Sequence, residues 1–417
     1  MSAAPLAEHF FRHEYGRLVA MLCRRVGTRH LVAVEDAVQS ALLAGLESWA
    51  ETGPPDNPTA WLFRVAFRFL IGELRQDARR DRLAEQHFAD ATEAVEEPPN
   101  IFLTADVRDD LLRMLFVCCD DAIPVETQLV VALKTLCGFD TREIAERLFT
   151  TEANVYKRLG RARTRLAELG SLPDDLAATN LTARLPAVQS ILYLMFTEGY
   201  LSSDASSAIR RELCDEAKRL ALLLAQHALG GSPETFALLA LMHLHAARLT
   251  SRLNGAGDLL LLEEQDRAQW DPQEIAMGLA WLERSATGSV FSRYHAEAGI
   301  AAEHCVAPTL AATRWDRIVA CYDLLDRLAP SAVHVLGRAL AIAEWHGPEQ
   351  GLAMLDELAP PAGIGSSYLW PAVLADLHRR CGHDDKAERY RAAALESAPS
   401  RALRELLARR LGPVAST

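Results

Sequence analysis

The sequence lacks any cysteine pair with metal-ligand or redox spacing. Its 417 residues contain eight scattered cysteines, two of them adjacent (Cys118 and Cys119), and no Cys-x-x-Cys. This gives little support to a zinc site or a disulfide framework and fits buried thiols in a reducing compartment. Long apolar runs are also missing. The most apolar segment, LALLLAQHALG at 220–230, is cut off by Gly231 and Pro233, so no membrane span is expected. The N-terminus, MSAAPLAEHFFRHEYGR, lacks the basic, apolar, small-residue order of a secretory signal, and a cytoplasmic protein is expected. Aromatics make up only 7%, and alternating Val/Ile/Thr runs are scarce in a chain that is 50% hydrophobic and dominated by Ala and Leu. An all-α fold follows. No His-Glu-x-x-His, Gly-x-Ser-x-Gly or P-loop is present. His243 and His245 are spaced i, i+2, which turns their rings to different sides of a helix. With Glu263, Glu264, Asp266, His295 and His304 they read as packing and surface groups. No enzyme activity, cofactor or metal is expected.

Against a net charge of −12, basic residues are concentrated in two places. Between Arg64 and Arg82 six arginines face three acids, with Arg68, Arg75, Arg79 and Arg82 on one stripe and Leu62, Val65, Ala66, Phe69 and Leu70 opposite. Between Glu152 and Arg165 five basic residues accompany one acid. An overall acidic surface opposes indiscriminate nucleic-acid binding, while a local basic patch still acts within a Debye length of about 10 Å.

The second basic stretch has the features of a helix-turn-helix. Asp140 followed three residues later by Glu143 is a capping box for a helix with Ile144, Ala145 and Leu148 inside. Thr150 or Thr151 caps a second helix whose Val155, Leu159, Ala162 and Leu166 form a buried stripe. Asn154, Lys157, Arg158, Arg161 and Arg165 flank that stripe. In such a motif Ala153, Asn154, Lys157 and Arg158 meet base edges, while Arg161 and Arg165 meet phosphates. Upstream, Val34, Ala37, Val38, Ala41, Leu42 and Leu46 mark one amphipathic helix, and the turn ETGPPDNPT precedes the first basic one. Residues 83–106, with ATEAVEEPPN, form an acidic linker. Two basic-faced helical units on a tether suit two DNA elements held apart.

The segments VEDAVQSALLAGLESW and PPDNPTAWLFRVAFRFLIGELRQ, followed by the helix-turn-helix, resemble an extracytoplasmic-function (ECF) sigma factor of bacterial RNA polymerase over about 1–170. The resemblance implies that Glu35, Asp36 and Gln39 contact the clamp helices of the polymerase β′ subunit. It also implies that the segment with Asn57, Trp61, Arg64, Arg68, Arg75 and Arg79 recognises and melts the −10 element, Trp61 and neighbouring aromatics stacking on unpaired bases. The alternative is that Trp61 and Phe63 pack in the core, and Phe63 is expected there. The helix at Thr151–Leu166 would read the −35 element, with the β flap as a further polymerase contact. Glu93, Glu96 and Glu97 of the linker would mimic nucleic-acid charge in the polymerase. The run FRFLIGELRQ departs from the family in lacking its usual Asn and Ile-Asp. FVCCDDAIPVETQ shows Asp120-Asp121 where His-Pro is common. Cys118 and Cys119 read as packing rather than as a redox switch, because no cation nearby in sequence lowers their pKa.

The expected domains are therefore 1–82 (region two), 83–106 (linker), 107–170 (region four) and 181–417 (a helical extension). In the last, RIVACYDLLDRLAPS and KAERYRAAALESAPS each place an aromatic mid-helix and end in Ala-Pro-Ser. Pro330 and Pro399 are 69 positions apart, close to two tetratricopeptide units of 34 residues. ILYLMFTEGYLSS and LLLLEEQDRAQWD resemble the extension of one ECF subgroup, and EEQDRAQWD reads as a structural turn with Trp270 packed. The extension is expected to bind a protein or peptide partner and regulate the factor. Two other readings stay open from the residues: a stand-alone helix-turn-helix regulator whose repeat domain senses a ligand or peptide, and an interaction scaffold.

Overall fold

The computed structural model describes residues 3–84, 106–169, 181–202, 208–227, 230–288, 290–356 and 367–412, together with Leu358 and Ile364. The regular secondary structure of the described residues is helical, with a single isolated β-bridge, Leu253–Leu259, and no strand. The chain divides into two compact units, Met1–Ala145 with Thr151–Ile191, and Glu146–Thr150 with Leu192–Thr417. The linker glutamates Glu93, Glu96 and Glu97 lie outside the described residues.

The first unit begins with α1 (Ala3–Val26), α2 (Leu31–Thr52) and α3 (Pro58–Ala84). On α2 the buried positions are Leu31, Val34, Glu35, Ala37, Val38, Ala41 and Gly45. Leu42 is half-buried and Leu46 is 43% exposed, unlike the sequence expectation, because the inner stripe continues through Gly45. On α3 the core takes Leu62, Phe63, Ala66, Phe67 and Leu70, while Phe69 is 46% exposed and Val65 half-buried. The inner face of α3 is thus turned toward Phe63 and Phe67, whose stacked rings carry the Arg25 guanidinium above them. Phe63 is core, as expected.

Helices α4 (Asp106–Cys118), α5 (Val125–Thr135), α6 (Thr141–Arg147) and α7 (Glu152–Leu169) follow. Asp120 closes the α4–α5 turn: it accepts from the Ala122 amide through Oδ1 and pairs with Arg184 through Oδ2. Arg184 lies near the start of α8 (Leu181–Tyr200). Cys118 and Cys119 are fully buried, and burial pushes both thiols up, Cys119 to about 12, so neither supplies a reactive thiolate.

The second unit adds α9 (Arg211–Gln226), α10 (Pro233–Ala246), α11 (Pro272–Ser285), α12 (Arg293–Val306), α13 (Trp315–Leu328), α14 (Ala332–His346), α15 (Pro348–Asp356), α16 (Leu369–Arg380), α17 (Asp384–Glu396) and α18 (Arg401–Arg410). Most pack chiefly on their neighbours in sequence, and α12 packs closely on α10 as well. The two Ala-Pro-Ser segments do the same work: each ends one helix and starts the next, Ser331 accepting from the His334 amide to cap α14 and Ser400 from the Leu403 amide to cap α18. Between α10 and α11, Trp270 is buried beneath the guanidinium groups of Arg248 and Arg267, while Asp266 and Asp271 cap the short turn and α11. EEQDRAQWD is therefore a packed structural turn.

Candidate nucleic-acid and polymerase interfaces

The helix-turn-helix is set by local hydrogen bonds. The Asp140 amide donates to Glu143 Oε2 at 2.6 Å, and the Glu143 amide donates back to Asp140 Oδ1 at 2.7 Å, a reciprocal capping box. The connection turns at Phe149, whose φ of 49° lies in the left-handed region that few non-glycine residues occupy. Thr151 Oγ1 then accepts from the Asn154 amide at 3.3 Å and caps α7. Val155, Leu159, Ala162 and Leu166 are all buried, which fixes the rotation of α7 and leaves its other faces outside.

On those faces Ala153, Lys157, Arg161 and Arg165 are exposed, and Asn154 and Arg158 are half-buried. Arg158 donates to the Glu126 carbonyl at 3.4 Å, and Arg165 pairs with Glu168 at 2.6 Å. Tyr156, 61% exposed beside Lys157, belongs to the same surface. Sequence patterning passed over it because an aromatic next to a buried stripe reads as core.

On α3, Arg64, Arg68, Arg75 and Arg79 are all exposed. Asn57 accepts from the Ala60 amide through Oδ1 at 3.0 Å, so this residue N-caps α3, with Pro58 in the first turn. Trp61 is half-buried, its ring 5.4 Å from that of Trp49 and tilted by 58°. The freely presented aromatic on this helix is Phe69, next to Arg68.

Helix α2 carries a third surface. Asp36 and Gln39 are exposed, and Gln39 hydrogen-bonds Tyr15. Val32, Leu43 and Leu46 are 49%, 61% and 43% exposed. Positions 32, 36, 39, 43 and 46 step by four, three, four and three, the spacing of a coiled-coil seam. Two polar residues thus sit within an apolar stripe that no described part of this unit covers. Glu35 stands beside that stripe but turns inward and is only 3% exposed. Its Oε1 accepts from Thr135 Oγ1 at 2.8 Å, and its Oε2 pairs with Arg163 at 2.6 Å. Of the three expected polymerase contacts, Asp36 and Gln39 face outward and Glu35 does not.

Among the described residues no helix is long and apolar enough to cross a membrane, and no group of His, Cys, Asp or Glu is arranged to hold a metal ion.

A three-helix unit with an arginine stripe and a helix-turn-helix with a basic second helix define a two-part DNA-binding protein. The comparisons give the class its name: residues 11–80 match Sigma-70 region 2, and residues 113–166 match Sigma-70, region 4. Residues 184–286 match a family of unknown function, DUF6596. A protein of Rhizobium meliloti (strain 1021), called uncharacterized protein R00370, is 36% identical over 331 residues, covering 79% of this chain and 78% of its own length. No solved structure matches the chain significantly. The chain belongs to one family with the Rhizobium protein and is a sigma factor of the sigma-70 type, a partner of core RNA polymerase and DNA.

Proposed function

We propose that the chain is an ECF-type sigma factor in which α7 reads the −35 element, α3 engages the −10 element and α2 docks on the β′ clamp helices. The observation that carries this reading is the exposed seam at Val32, Asp36, Gln39, Leu43 and Leu46. A helix surface with coiled-coil spacing suits partner helices, and clamp helices are such a partner. Lys157 and Arg161 on α7, and Arg64, Arg68, Arg75 and Arg79 on α3, supply the phosphate attraction that positions a protein on DNA. Ala153, Asn154 and Arg158 lie in the first turns of α7, where a recognition helix meets base edges. Region four extends to the β flap in this reading.

The domains are region two at 1–82, a linker at 83–106, region four at 107–170 and a helical extension at 181–417. Its packing of helices in sequence order and the matching Ala-Pro-Ser segments before α14 and α18 support a tetratricopeptide-like array that takes a protein or peptide partner and regulates the factor. Pull-down of core polymerase by the purified chain tests the docking reading. Retention of polymerase by the wild type and its loss on Leu43→Lys is the expected result, and failure of the wild type to retain polymerase counts against it.

A further inference from the structure

Packing accounts for only one side of the turn EEQDRAQWD. Its other side closes a cavity of about 470 Å³ within the second unit, inside the range of roughly 300–1,000 Å³ usual for small-molecule sites. The facing wall is α9, where Arg211, Asp215 and Lys218 are spaced four and three residues apart and so share one stripe. The end of α10 and the first turn of α11 complete the lining, whose charged and amide-bearing groups suit a polar ligand. Part of this lining is already spent. Glu274 accepts from Lys218 Nζ through Oε1 at 2.6 Å, and its Oε2 meets His243 Nδ1 at 2.6 Å. Burial alone would raise this carboxyl, but the hydrogen bonds from His243 and Lys218 outweigh it and hold the group down to about 2, as an anion matched to Lys218. Arg211 and Asp215 are not spent. Among the described residues Arg211 is exposed and pairs with no carboxylate, while Asp215 is 59% exposed and its one ion pair, with Lys218, is 3.9 Å long. Asp271 gives Oδ1 to the Gln273 and Glu274 amides at 2.8 and 3.2 Å, and its Oδ2 makes no hydrogen bond among the described residues.

We infer that this cavity binds a small zwitterion, a free α-amino acid or a short peptide, whose carboxylate meets Arg211 and whose ammonium meets Asp215 and Asp271. Residues one helical turn apart carry their Cβ atoms about 5–6 Å apart. Arg211 and Asp215 are thus near enough for one small molecule to bridge them with its two charged ends. A guanidinium fork matches a carboxylate with two parallel hydrogen bonds, and an ammonium has three donors to divide between two carboxylates. Ligands of one sign fit poorly. A bare anion would lie against Asp215 and Asp271, and a bare cation against Arg211. Beyond Trp270 the Arg248 and Arg267 guanidiniums stand 5.2 and 4.5 Å from its ring. They bond to the Gln265 side chain and to the carbonyls of His304 and Ala307, with no carboxylate among the described residues, and this positive charge further disfavours a bare cation. Every group involved lies in the second unit, so the site stands independently of the sigma reading.

Isothermal titration calorimetry on the full-length chain tests this, with the free proteinogenic amino acids and trialanine as probes. The expected result is binding of an amino acid or of trialanine with a Kd of about 1 mM or tighter, weakened about tenfold or more when the same probe is N-acetylated or amidated. Binding by an amino acid identifies the ligand as a monomer, and binding by trialanine alone identifies it as a peptide; either supports the site. Arg211→Gln and Asp215→Asn should each weaken binding about tenfold or more without changing the melting temperature of the free chain. The comparison of free with blocked probes uses the wild type alone and decides the question even where a variant does not fold. Absence of binding by every probe at about 10 mM, equal binding of free and blocked forms, or unchanged binding in both folded variants overturns the inference.

Discussion

The Arg163 guanidinium on α7 and the Glu35 carboxylate on α2 meet at 2.6 Å, although 128 positions separate them in the chain. Arg163 is the one basic residue of α7 between Glu152 and Arg165 that turns toward region two. Lys157, Arg161 and Arg165 remain exposed. The ion pair and the exposed basic residues thus occupy different faces of one helix.

Lys157→Ala and Arg161→Ala should each weaken promoter binding and flatten its salt dependence by about one unit of slope per lost phosphate contact. Titrations of the polymerase–factor complex with promoter DNA at several salt concentrations measure this. Unchanged affinity and slope would place the reading surface on another helix.

Phe69 is the exposed aromatic of α3, whereas Trp61 packs against Trp49. Phe69→Ala should reduce opening of promoter DNA by an amount equivalent to about 1–3 kcal/mol per stacked base while leaving the melting temperature unchanged. Trp61→Ala should lower the melting temperature as well. Permanganate footprinting alongside thermal denaturation separates the two effects. Equal loss of stability in both variants would make Phe69 a packing residue.

The proposed docking of the α2 seam makes a third prediction. Leu43→Lys places a charge within the apolar stripe and should lower core-polymerase affinity by about tenfold or more, with no change in fold, because Leu43 is exposed in the free chain. Surface-based binding kinetics with immobilised core polymerase measure the change; wild-type kinetics would remove α2 from the interface.

Acidification should destabilise the second unit before the first. His245, packed against Phe196 and Tyr200, is pushed down to about 3 by burial and by Arg248, and His304 to about 4 by burial, Arg248 and Arg267. In the unfolded chain both titrate near the ordinary value of about 6.5. The unfolded state therefore binds more protons than the native state between these limits. Their contribution is fully present above about pH 6.5 and is lost as pH falls toward 4, with a limiting slope of about 1.4 kcal/mol per pH unit for each histidine. Thermal melts at pH 7.5 and 5.5, compared with those of His245→Gln, check this. A melting temperature independent of pH in the wild type would contradict it.

Local patterning made much of this legible. The Asp140–Glu143 cap, the Thr151 cap, the α7 stripe and the paired Ala-Pro-Ser segments each rest on neighbours three or four residues apart, so the sequence displays them directly. The inner faces of α2 and α3 were less legible. Leu46 and Phe69 have helical spacing for the core, yet tertiary packing chose Gly45 and the Phe63–Phe67 pair and left those two outside. The contacts of Glu35 with Thr135 and Arg163 depend on residues 100 and 128 positions away, and no local pattern signals them. Gly16 of α1, where a side chain would collide with the Leu136 carbonyl, is invisible for the same reason: a lone glycine in a helical stretch reads only as a weak point until its neighbour is known.

Initiation from a promoter in a reconstituted system tests the central claim most directly. Purified core polymerase, the full-length chain and DNA carrying a promoter selected by the complex should give transcripts of one defined start, dependent on the chain and lost with Arg161→Ala and Leu43→Lys. Transcription that starts at the same sites with and without the chain, across the selected DNA, would contradict a promoter-specificity role.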